Sequence, residues 1–144
     1  MRMNAFFAMC LLLLLPAGLA AETANTKPDD DKLLQSIRVV VDAPQAKVNW
    51  IELTEAIDGL GAGKKDEAAP LLILILRRES PLISSEDAPL PGVMPPLEMV
   101  QSAAIEALVK LQAGEAAPAI EDLARATKFQ LLRERALEAL SELR

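Results

Sequence analysis

The chain repeats itself, and the repeat limits what it can fold into. Shifted by 48 residues, residues 56–77 (AIDGLGAGKKDEAAPLLILILR) lie without a gap on residues 104–125 (AIEALVKLQAGEAAPAIEDLAR). Eight positions are identical: Ala56/Ala104, Ile57/Ile105, Leu60/Leu108, Glu67/Glu115, Ala68/Ala116, Ala69/Ala117, Pro70/Pro118 and Arg77/Arg125. A third copy of the leading half follows 32 residues later, where ALEAL (residues 136–140) lies on AIEAL (residues 104–108). Units of this size bury their apolar faces only against neighbours, so the repeat predicts stacked helix pairs.

The apolar periodicity agrees. Leu33, Leu34, Ile37, Val40 and Val41 fall at helical spacing. Asp29, Asp30 and Asp31 precede them, where a helix N-terminus favours carboxylates. The run Val39-Val40-Val41 also suits a strand, but the stripe favours a helix ending before Pro44. Asn49 and Glu52 have the spacing of a capping box, and Trp50, Leu53, Ile57 and Leu60 then share a face. Gly61 and Gly63 are expected to stop this helix. Asp66 and Glu67 open another, with Pro70 near its start. The apolar run 71–76 alone suits strand or helix equally. Its equivalent, residues 119–124, alternates Ile120, Leu123 and Ala124 with acids, so both copies are read as helix. Ala113-Gly114 should break the helix of the second unit, Thr127 and Gln130 form a second candidate capping box, and the last helix carries Leu132, Ala136, Ala139, Leu140 and Leu143 inward.

The two repeat spacings differ by 48 − 32, or 16 residues, and the excess falls on residues 80–96. That segment holds five prolines and reads as an irregular insertion.

The N-terminus reads as an export signal. Residues 1–21 combine one positive charge, an apolar run and small residues, which is the layout of a secretory signal peptide cleaved near Ala20 or Ala21. The run is at the short limit for a membrane span, so no stable membrane insertion is expected after cleavage. A polar leader, residues 22–30, would then precede a helical domain over residues 31–144. The only cysteine, Cys10, lies in the signal, so this domain has no disulfide to hold it and relies on burial. Of 15 Lys and Arg only Arg2 is lost, giving 14 − 21, a net charge of −7. Such a chain lacks the basic stripe that nucleic acid requires.

The pattern A-I-E-A-L…G-E-A-A-P-A-I-E-D-L, followed by R-E-R-A-L-E-A-L, resembles the HEAT-like repeat family, in particular its short-period, bilin-lyase-type branch. The likeness covers residues 49–143, and residues 33–43 resemble a degenerate second helix of a preceding pair. The family's usual glycine-aspartate turn is replaced by Ala113-Gly114-Glu115 here, and the insertion is atypical. The resemblance implies a short α-solenoid of about five helices, stacked as antiparallel pairs, that docks a protein or peptide. It carries no catalytic residue onto this chain.

Catalytic signatures are few. With no histidine, and no cysteine after cleavage, neither a Ser-His triad nor the usual zinc ligands can be assembled. Glu52 with Glu55, or Glu121 with Asp122, could form a carboxylate pair of the glycosidase kind, but such pairs more often decorate a solvated helix face. The three aspartates lack the glycine and distal glutamate of a calcium loop. Trp50 is in phase with the core, although an exposed tryptophan would serve as a binding anchor. Arg77 and Arg125 occupy equivalent positions and either answer helix dipoles or line a ligand-facing surface. Ile73 and Leu74 align with Glu121 and Asp122, so the first unit bears an aliphatic face where the second is acidic. Such a face is expected to be covered within the chain, by the first helix, the insertion or both, with a partner or dimer contact as the competing view. The expectation is an exported, non-enzymatic protein-binding or assembly module of the cell envelope with no cofactor or metal. The candidate partner-binding residues are Arg77, Arg125, Ile73 and Leu74. An accessory subunit of an enzyme complex and a carboxylate-dependent hydrolase are the alternatives.

Overall fold

The computed structural model describes residues 28–43, 45–84 and 94–144. The expected signal peptide and the middle of the insertion lie outside the described residues. Those residues form six α-helices: α1 (Pro28–Asp42), α2 (Trp50–Ala62), α3 (Ala69–Leu76), α4 (Pro96–Lys110), α5 (Ala117–Ala126) and α6 (Gln130–Leu143). The all-α class is as expected, with one helix more than the five or so anticipated. The helix α1 starts at Pro28, inside the expected leader, because a proline lacking its N–H costs least at a helix start. Among the described residues no helix is long and apolar enough to cross a membrane.

The insertion is not wholly irregular. Leu82 is buried in the core, and the next two residues, β2 (Ile83–Ser84), pair in parallel with β1 (Lys47–Val48), Lys47 lying opposite Ile83. Burying Leu82 draws the start of the insertion against the segment that leads into α2.

The sequence repeat is also a backbone repeat. Among the described residues, Lys64 and Gln112 are the non-glycine residues with positive φ, at 52° and 53°, and 112 − 64 is again 48. Around them the bonding matches: the Lys65 N–H donates to the Leu60 carbonyl at 3.1 Å, and the Ala113 N–H donates to the Leu108 carbonyl at 3.0 Å. This is a Schellman stop, with its left-handed seat at Lys64 and Gln112. Short 3₁₀ turns, Asp66–Ala68 and Gly114–Ala116, lead from there into α3 and α5, each with a proline in its first turn. The helix α2 ends at the expected place, with Gly63 as its C-cap, but the left-handed residue of the stop is Lys64 and not a glycine. Gly61 lies inside the helix, and Gly63 is right-handed at φ −77°.

Gly61 has a different task. A Cβ there would sit 2.8 Å from the Ala107 Cα, so its absence lets α2 and α4 cross at backbone contact. Among the described residues these two helices form the most extensive pairing. Beyond it, α4 packs on α6, α3 on α4 and α5 on α6, with a lighter contact between α3 and α5. One core runs through all of them. Ile57, Leu60, Leu72, Leu108, Ile120 and Leu132 are fully buried within it, each contributing roughly 1.5–3 kcal/mol by burial. Leu108 and Leu140, equivalent in the repeat, both belong to it.

Candidate functional site

The last carbonyls of a helix have no partner inside it, and at three helix ends here a long side chain from elsewhere supplies one. Gln101 of α4, almost fully buried, turns its Nε2 to the carbonyls of Ile75 and Leu76, both at 3.3 Å, and of Arg78, at 3.1 Å, around the end of α3. Arg133 of α6 donates to the carbonyls of Ala124, at 3.2 Å, and Thr127, at 2.7 Å, at the end of α5. The end of α1 is met by Arg78, whose guanidinium donates to Val40 O at 2.7 Å and to Ser80 O at 2.9 Å. Burial lowers the Arg78 pKa from its ordinary value, yet an arginine stays charged in a protein. Sequence reasoning missed all three. The signal for two of them was present, since 133 − 101 is 32, the spacing of the second and third units.

Thr127 does not cap α6 as expected. It closes α5, and its Oγ1 accepts the Phe129 N–H at 3.2 Å. Asn49 does cap α2, its Oδ1 accepting from the N–H groups of Ile51 at 3.1 Å and Glu52 at 3.3 Å.

Two neighbouring grooves open beside these helix ends. The larger, about 790 Å³, lies between α3 and α5 with Leu97 and Gln101 of α4 in its lining. The smaller, about 300 Å³, lies between α1 and α3. They are the same groove repeated: Leu74, Ile75 and Arg78 line the smaller, and their equivalents 48 positions on, Asp122, Leu123 and Ala126, line the larger. Arg77 lines both.

The four expected binding residues divide. Leu74 and Arg77 come together on the α1–α3 groove. Leu74 is 46% exposed there, with Val40 and Val41 of α1 in the same lining, so the first helix flanks the aliphatic face without burying it. Ile73 is half-buried and packed on the core. Arg125 lines neither groove. It pairs along its own helix with Glu121, and with Asp122 at 4.0 Å. The two equivalent arginines therefore do not act as a pair: the acids that replace Ile73 and Leu74 in the second unit hold Arg125, whereas Arg77 has aliphatic neighbours at those positions.

The same ion pairs engage one carboxylate pair considered for catalysis, and the other, Glu52 and Glu55, is exposed on α2. Among the described residues no group of three His, Cys, Asp or Glu side chains is placed to hold a metal. Trp50 is half-buried against the core, as its phase suggested, with its indole N–H enclosed and unpartnered among the described residues. No family model matches the chain, and comparison with curated proteins and with solved structures gives no significant match.

Proposed function

We propose that the protein is an exported, non-enzymatic binding module of the HEAT-like kind, docking a protein or peptide on the surface formed by α1, α3 and α5. The observation that carries this reading is the repeated groove, with Arg77 common to both copies. A surface that recurs with the repeat suits an extended ligand lying across successive units.

The stacked arrangement is supported by the pairings of α2 with α4, α3 with α5 and α4 with α6, and by the outward face of α6. Ser102, Ile105, Glu106 and Val109 of α4 have the equivalents Glu134, Leu137, Glu138 and Ser141, all exposed. Ile105 is 1% exposed and Leu137 is 55% exposed. The second unit buries this face against a neighbour, and the third leaves its more polar copy to solvent. The apolar run and small residues of positions 1–21 support delivery to the envelope.

A photo-crosslinking amino acid placed at Leu74, and separately at Leu137 as an exposed control, tests this in native cells. A discrete protein adduct from position 74 that is absent from position 137 supports the reading. The same adducts from both positions, or none from position 74, contradict it.

A further inference from the structure

Among the described residues, the lining of the smaller groove carries charge of one sign. Its charged lining residues are Arg77 and Arg78, and its other walls are Val40, Val41, Leu74 and Ile75, with Ser80 at the edge. Among the described residues no carboxylate lines it, in a chain whose acids outnumber its bases 21 to 15. The nearest acids in sequence stand elsewhere: Glu79 lines the larger groove, and Asp42 is exposed at the end of α1.

The two arginines differ in their commitments. Arg78 is held by backbone carbonyls and braces α1 against the end of α3. Gln101 supplies the carbonyls at the end of α3 itself. Both donors offset the negative helix ends that would otherwise repel an anion. Arg77 is exposed, and among the described residues its guanidinium has no hydrogen bond or ion pair. Its equivalent Arg125 is neutralised by Glu121 and Asp122, and those acids are replaced by Ile73 and Leu74 beside Arg77. The first unit thus sets an unengaged guanidinium next to an aliphatic wall.

We propose that the α1–α3 groove binds the C-terminus of a polypeptide, with the terminal carboxylate on the Arg77 guanidinium and an aliphatic last side chain against Val40, Val41 and Leu74. This rests on the protein-binding reading and narrows it to one ligand chemistry. A guanidinium offers paired donors that match a carboxylate, and a volume of about 300 Å³ is at the small end for a binding pocket, suited to one end group rather than a long ligand.

The test titrates the full chain, methyl-labelled at Val and Leu, with N-acetyl-Ala-Val-Leu as the free acid, with its C-terminal amide, and with octanoate as a lipid-like carboxylate. The free acid should shift the methyls of Val40, Val41 and Leu74. The amide should bind roughly tenfold more weakly, as expected when a charge-assisted hydrogen bond is lost. Arg77→Gln should erase that difference. Leu74→Asp, which installs the residue the second unit carries, should abolish binding while the remaining methyl spectrum confirms the fold. Equal binding of acid and amide, shifts confined to the α3–α5 groove, binding of octanoate alone, or no shift at all each overturns the inference. In every such case the crosslink from position 74 still decides the broader reading.

Discussion

Gln101 and Arg133 perform one task a unit apart: Gln101 donates to Leu76 O at 3.3 Å, Arg133 donates to Ala124 O at 3.2 Å, and the two acceptors are themselves equivalent residues. Each ties the start of one helix to the end of the helix before it. Gln101→Leu keeps the volume and removes the donor, stranding carbonyls beside a buried site at a cost of about 1–3 kcal/mol. Arg133→Met should cost less, because Arg133 is more exposed and water can replace it. Urea unfolding of the two variants checks the order. A neutral Gln101→Leu would mean that these carbonyls find other partners.

The matched positive φ angles of Lys64 and Gln112 allow a gain of stability. A left-handed side-chain-bearing residue is disfavoured by roughly 1–2 kcal/mol, and glycine removes that penalty while adding freedom to the unfolded chain. Lys64→Gly and Gln112→Gly should therefore each stabilise by up to about 1 kcal/mol, read as a rise in melting temperature. A fall for both would contradict the Schellman geometry.

Glycines elsewhere separate by environment. Gly61→Ala would improve helix propensity, but its Cβ would meet the Ala107 backbone at 2.8 Å. Two backbones cannot yield as a flexible side chain does, so the variant should lose about 1–3 kcal/mol. Gly114→Ala meets nothing within 4 Å and should gain about 0.4–1 kcal/mol. Thermal melts of the pair give opposite signs if α2 and α4 cross where described.

Most of the fold was legible because helices announce themselves through spacing and repetition. The assignment of Leu71 to Leu76 as helix rested on its copy, and the backbone follows the copy down to the left-handed residue in the turn. What escaped depended on partners distant in sequence. Gly61 looks like a helix stop until Ala107 is placed against it. Thr127 and Gln130 have the spacing of a cap for α6, yet Thr127 closes α5 and Arg133 takes over the neighbouring carbonyls. At the candidate site, the sequence flagged Leu74 and Arg77 through the mismatch between copies. It did not distinguish Arg77 from Arg125, because the ion pairs that remove Arg125 are geometric.

The proposal of stacked units with α6 on the outside meets its most direct test at three equivalent positions, Ile57, Ile105 and Leu137. The first two are 0% and 1% exposed, and the third is 55% exposed. Equilibrium urea unfolding of the three alanine variants should show Ile57→Ala and Ile105→Ala each losing about 2–5 kcal/mol. Leu137→Ala should stay within about 0.5 kcal/mol of the parent chain. A Leu137→Ala loss as large as the other two, or parent-like stability for Ile57→Ala and Ile105→Ala, would contradict the account.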